Sequence, residues 1–134
     1  MNAAVNGKNA GARRSYKLMI VDDSMIMRRR IERSQGFDEI ELVGTATNGL
    51  EAIEMFRKTD PDVVTMDLTM PQMDGIECIE NIVKIKPAVR ILVISALADK
   101  ATAVEAMEKG ANGFLNKPFT DRQLNEAIAD LIRE

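Results

Sequence analysis

Residues Asp62 to Gly75 read DVVTMDLTMPQMDG. Val63, Val64, Thr65 and Met66 form a short β-branched and apolar run, the pattern of a buried strand, and Asp67 stands where that strand emerges. An unpaired charge beside such a run is costly, so Asp67 has to open into a polar pocket with a cation or a donor at hand. Pro71 and Gly75 break the strand and turn the chain into a new helical pattern. An isolated acid at a strand end is more often a turn former or a helix cap than a reagent. Asp67 is not isolated, and the rest of the chain explains why.

Working outward, the same alternation repeats. Leu18 to Val21 is apolar at every position, as in the middle of a parallel sheet, and runs into Asp22 and Asp23. Ser24 can cap the helix that follows, in which Met25, Met27 and Ile31 are apolar and Gly36 is positioned as the stop. Leu42, Val43 and Gly44 read as a second strand; Leu50, Ile53 and Phe56 recur at helical spacing before Pro61. Beyond the Asp67 loop, Ile76, Ile79, Ile82 and Val83 mark a third helix ended by Pro87, and RILVIS from Arg90 to Ser95 is a fourth strand. Ala103, Val104 and Met107 make a weak, alanine-rich helix stopped by Gly110. Gly113 to Leu115 leads to Asn116, Lys117 and Pro118, and Leu124, Ala127, Ile128, Leu131 and Ile132 keep the stripe of a helix with one buried side. Five strands alternating with five helices over short connections predict a doubly wound α/β fold with a parallel sheet covered on both faces.

Composition bounds what such a domain can do. The 134 residues are 46% hydrophobic, enough for one core and too few for a second domain of equal size. Residues 1–15 carry no apolar period and are expected to be a disordered tail before a domain spanning 16–134. Arg13 and Arg14 superficially suggest an export signal, but the apolar run from Leu18 to Val21 is far too short for one, so a cytoplasmic location is expected. No segment has membrane-spanning length. A net charge of −3 argues against a general nucleic-acid binder, and the early excess of Arg13, Arg14, Arg28, Arg29, Arg30 and Arg33 reads as a solvated helix face. The single cysteine, Cys78, and the complete lack of histidine exclude a disulfide framework, a zinc site and histidine-based catalysis. Chemistry here must rest on carboxylates, hydroxyls and lysine.

Those groups converge. In an open parallel sheet ligands bind outside the carboxyl ends of the strands. Strand one ends in Asp22 and Asp23, strand three in Asp67, strand four in Ser95 and strand five in Lys117. Three clustered carboxylates exceed what one lysine neutralises, so the rim is expected to recruit a hard divalent cation, and Mg2+ fits oxygen donors. Lys117 and the Ser95 hydroxyl can then hold phosphoryl oxygens while Asp67 acts as nucleophile and forms an acyl phosphate.

On the acid pair Asp22–Asp23, DLTMPQMDG around Asp67, SA at Ser95–Ala96 and NKPF around Lys117 and Pro118, the chain from Lys17 to Glu134 resembles the receiver domains of two-component response regulators, especially stand-alone regulators of the chemotaxis type. The resemblance implies the strand order 2-1-3-4-5 of flavodoxin-like folds. It implies that Asp67 accepts phosphate from a histidine kinase, that Asp23, Asp67 and the Thr69 carbonyl bind Mg2+, and that Asp22 acts through water. Ser95 and the aromatic Phe114 would couple the site to an output partner, such as the flagellar motor switch, on the face of the fourth helix, fifth strand and fifth helix. A monomer with slow self-dephosphorylation and a cis peptide before Pro118 are further implications. The chain departs from the pattern twice: Phe114 stands where the chemotaxis type usually has tyrosine, and the first helix stops about a turn early, with Phe37 and Ile40 expected to fill the space beside Ser34 and Gln35. The competing readings are a receiver in a non-chemotaxis phosphorelay, a pseudo-receiver, and a Mg2+-dependent phosphatase of the haloacid dehalogenase type. The phosphatase needs a second acid two residues after its nucleophile, where this chain has Thr69.

Overall fold

Leu18, Met19, Ile20 and Val21 are all buried, as a strand in the interior of a sheet requires. The computed structural model describes residues 15–34, 39–70, 72–96 and 99–133. In chain order the elements are β1 (Tyr16–Val21), α1 (Met25–Arg33), β2 (Ile40–Ala46), α2 (Gly49–Thr59), β3 (Val63–Met66), α3 (Gly75–Ile85), β4 (Arg90–Ser95), α4 (Lys100–Glu108), β5 (Gly113–Asn116) and α5 (Asp121–Arg133). All strand pairs are parallel, in the order β2-β1-β3-β4-β5. The doubly wound architecture expected from the alternation is therefore present, and the order reverses between β1 and β3, which is where a ligand crevice forms.

The period of two along each strand divides the core into two layers. Met19, Val21, Val64, Met66, Ile91 and Val93 face one side, with Phe56 of α2 and Ile79 and Ile82 of α3. Leu18, Ile20, Val63, Leu92 and Ile94 face the other, under Ile31 of α1 and Leu124, Ile128 and Leu131 of α5. Each fully buried aliphatic side chain stabilises the fold by roughly 1.5–3 kcal/mol relative to exposure, so both layers are needed.

Local capping sets where the helices begin. Ser24, Asn48, Asp74 and Asp99 sit in extended backbone, and each side chain accepts the N–H three residues on, from Met27, Glu51, Glu77 and Thr102. Three details of the helices go beyond the sequence pattern. Helix α1 ends at Arg33 with Ser34 as its C-cap, whose N–H donates to the Arg30 carbonyl and whose hydroxyl lies 2.7 Å from that oxygen. Gly36 and Phe37 lie outside the described residues. In α2 the buried positions are Gly49, Ala52 and Phe56, whereas Leu50 is 54% exposed, and Gly49 packs against Met73 with no room for a Cβ. In α4 only Ala106 is buried, while Val104 and Met107 are 46% and 43% exposed. That helix is indeed the least anchored, and its larger apolar groups point outward.

Candidate functional site

The residues at the strand ends are each hung by the backbone on the neighbouring strand. The Asp22 N–H donates to the carbonyl of Ala46 on β2, the Asp67 N–H to Val21 on β1, and the Lys117 N–H to Ser95 on β4, all at 3.0 Å. Sheet register thus carries Asp22, Asp67, Ser95 and Lys117 to one rim, and local flexibility does not set their spacing.

Asp22 is 1% exposed and both of its oxygens are used: Oδ1 accepts the Ser24 N–H at 2.9 Å and Oδ2 pairs with Lys117 Nζ at 3.0 Å. Asp67, 6% exposed, accepts the Thr69 N–H on Oδ1 at 3.2 Å, and its Oδ2 lies 3.9 Å from Lys117 Nζ. Asp23 is exposed at the mouth of the site. One carboxylate oxygen from each of Asp22, Asp23 and Asp67 falls within 4.8 Å of the others, a spacing and donor chemistry that fit a hard divalent cation. Burial pushes the Asp67 carboxyl above its ordinary value, and the negative charges of Asp22 and Asp23 add to this; the Thr69 N–H and Lys117 oppose it.

The loop after Asp67 is held by two close approaches. The Gly75 N–H donates to the Leu68 carbonyl at 3.0 Å, and a Cβ on Gly75 would lie 2.5 Å from both the Asp67 carbonyl oxygen and Leu68 Cα. A Cβ on Gly49 would meet Met73 Cβ at 2.4 Å, so α2 and the loop also pack without room for a side chain. Gln72 turns the loop with a left-handed φ of 75°. Pro71 lies outside the described residues.

Ser95 is fully buried at the end of β4. It registers opposite Asn116, and Phe114, two residues earlier on β5, shares that face and is half-buried against the layer of α2 and α3. Thr69 is exposed beside the acid cluster. The Lys117–Pro118 peptide is cis, as the resemblance implied. Cys78 is buried with its thiol pushed up to about 12, chiefly by burial, so it remains protonated and takes no part in the rim. The arginine run was only partly a solvated face. Arg29 and Arg33 are exposed, but Arg28 Nη1 donates to the Asp22 carbonyl at 2.8 Å, and Arg30 stacks 4.4 Å over the Phe119 ring. Their only sequence signal was a place on α1 within two turns of the acid pair.

A doubly wound sheet whose crevice gathers three carboxylates, a buried serine and a lysine defines the receiver class. Residues 18–129 match the response regulator receiver domain, and the chain belongs to that family. It is 42% identical to the chemotaxis protein CheY of Thermotoga maritima over 84% of this chain and 93% of that protein, and 38% identical to CheY of Bacillus subtilis over 85% and 95%. Among solved structures, the complex of CheX, CheY, BeF3 and Mg2+ from Borrelia burgdorferi superposes with a TM-score of 0.83 at 29% identity, covering 87% of this chain and 89% of that one. The response regulator domain of Thermotoga maritima CheB superposes with a TM-score of 0.78 at 34% identity, over 90% and 95%. The chain is a response regulator receiver domain similar to CheY. Among the described residues no helix is long and apolar enough to cross a membrane.

Proposed function

We propose that residues 16–134 act as a stand-alone receiver domain of a chemotaxis pathway, in which Asp67 accepts a phosphoryl group from a histidine kinase in a Mg2+-dependent reaction in the cytoplasm. The observation that carries this reading is the 4.8 Å clustering of oxygens from Asp22, Asp23 and Asp67 beside Lys117. Asp22, Asp23, Asp67 and the Thr69 carbonyl are the groups that would hold the ion. Bound there, Mg2+ would supply charge neutralisation and a ligand for a phosphoryl oxygen.

The chain's own residues do the rest. A carboxylate oxygen of Asp67 forms a bond to phosphorus while the phosphorus–nitrogen bond of the donor phosphohistidine breaks, and the departing imidazole takes up a proton. Lys117 can leave Asp22 for a phosphoryl oxygen, and the Ser95 hydroxyl can donate to another. Ser95 and Phe114 share one face of neighbouring strands, so movement of Ser95 toward the phosphoryl group frees room for Phe114 to turn further inward. The weakly anchored α4 then shifts, and an output protein reads the face of α4, β5 and α5, where Val104 and Met107 are exposed. The family resemblance makes the flagellar motor switch one candidate for that output, and the solved complex of CheX with CheY supports a CheX-like partner as another.

With threonine at position 69 the site lacks the second acid of a haloacid dehalogenase phosphatase, so steady hydrolysis of a phosphate ester is not expected. The switching claim is tested by NMR with beryllofluoride and Mg2+. Amide shifts across α4, β5 and α5 are expected in the wild type and not in Asp67→Asn; a response confined to the loops of the rim would contradict the output assignment.

A further inference from the structure

Helix α1 reaches both sides of the acid pocket through two arginines. Arg28 donates from Nη1 to the backbone carbonyl of Asp22 at 2.8 Å. Arg30 donates from Nη2 to the Phe119 carbonyl, stacks over the Phe119 ring at 4.4 Å, and pairs through Nε with Asp121 at 3.7 Å. The Ser34 hydroxyl lies 2.9 Å from the same Asp121 oxygen and 2.7 Å from the Arg30 carbonyl, so its one proton is shared between those two acceptors. Residues two apart on a helix point about 200° from one another, so one rigid element can grip the end of β1 with Arg28 and the loop after β5 with Arg30.

Phe119 is buried and follows Lys117 by two residues. The Asp22–Lys117 contact at 3.0 Å therefore has each of its two backbones tied to α1. Side-chain freedom alone would let a lysine wander over several ångströms, whereas the cation–π stack, the charge-assisted hydrogen bond and the ion pair fix the loop that carries it. We propose that Arg28 and Arg30 are positioning residues that set the separation of Asp22 and Lys117, Arg28 acting on the metal-binding side and Arg30 on the lysine side. The inference rests on the reading of Asp67 as phosphoacceptor only where phosphoryl uptake is the readout.

The test compares Arg28→Met, Arg30→Met, Arg30→Lys and Arg29→Met, the last removing the same charge from the exposed position between them. Circular dichroism first checks that each variant is folded. In the metal-free protein, Arg28→Met should move the Asp22 carboxyl carbon resonance and Arg30→Met the Lys117 side-chain resonances, with Arg29→Met moving neither. Titration calorimetry with Mg2+ should give weaker binding for Arg28→Met and wild-type binding for Arg30→Met. Labelling by acetyl phosphate should slow by about tenfold in Arg30→Met, as expected when a group that meets the reacting phosphoryl is displaced. Arg30→Lys, which keeps a charge and a donor for the Phe119 carbonyl, should recover part of that rate. Unchanged Asp22 and Lys117 resonances in the two methionine variants would overturn the positioning role whether or not the wild type is labelled. A wild type that takes no label would count against Asp67 alone, because the resonances decide the arginine question independently.

Discussion

Lys117 Nζ lies 3.0 Å from an oxygen of Asp22 and 3.9 Å from one of Asp67. Lys117 thus pairs more closely with Asp22 than with Asp67, the proposed nucleophile, and would compete with a cation for Asp22. Metal binding and phosphoryl recognition should consequently separate in Lys117→Ala. We expect Mg2+ affinity by titration calorimetry at least equal to wild type, and no beryllofluoride-dependent shifts on α4, β5 and α5. Wild-type surface shifts in this variant would show that Lys117 does not report the phosphoryl group.

The raised pKa of Asp67 has a defined consequence for stability. The folded, metal-free protein keeps this proton to higher pH than the unfolded chain, whose carboxylate titrates near about 3.9. Above that value the native state binds more protons than the unfolded state, so stability falls as pH rises until the folded Asp67 has ionised. Thermal unfolding in EDTA should show a decline through this window in wild type and a shallower one in Asp67→Asn, whose midpoint at neutral pH should be higher. Added Mg2+ should raise the wild-type midpoint and leave Asp67→Asn much less affected. Identical pH profiles for the two proteins would contradict the burial of charge at Asp67.

Gly75 tests how rigidly Asp67 is held. Gly75→Ala places a methyl 2.5 Å from the backbone of Asp67 and Leu68, which cannot yield without moving the loop. The expected loss is about 1–3 kcal/mol in denaturant unfolding. Wild-type stability would mean the loop gives way freely.

A buried hydroxyl supplies an independent check on the core. Thr65 is 1% exposed between Ile20 and Leu92 of the adjoining strands, and its Oγ1 has no hydrogen-bond partner. Thr65→Val keeps the shape and removes the unmatched polar atom, so we expect a stabilisation of about 1 kcal/mol. A destabilised variant would require a partner for the hydroxyl.

Much of this was readable from the residues because it depended on contiguous signals. The apolar runs that end in Asp22, Asp67, Ser95 and Lys117 specify both the strands and the rim, since a parallel sheet aligns its carboxyl ends automatically. What stayed hidden depended on which of several similar residues turns inward. Leu50 and Ala52 both fit a helical stripe, and tertiary packing buries Ala52 while leaving Leu50 54% exposed. The arginines of α1 are alike in composition, yet Arg28 and Arg30 meet the site while Arg29 and Arg33 remain exposed, because the partners are the Asp22 carbonyl and Phe119, far removed in the chain for the second pair.

On the proposed function, Asp67 is the phosphoacceptor and the clustered acids serve it through Mg2+. Intact-mass spectrometry after incubation with acetyl phosphate and Mg2+ tests this most directly. Wild type should gain a single phosphoryl group, lose that gain when EDTA replaces Mg2+, and show none in Asp67→Ala. Equal labelling of Asp67→Ala would contradict the account.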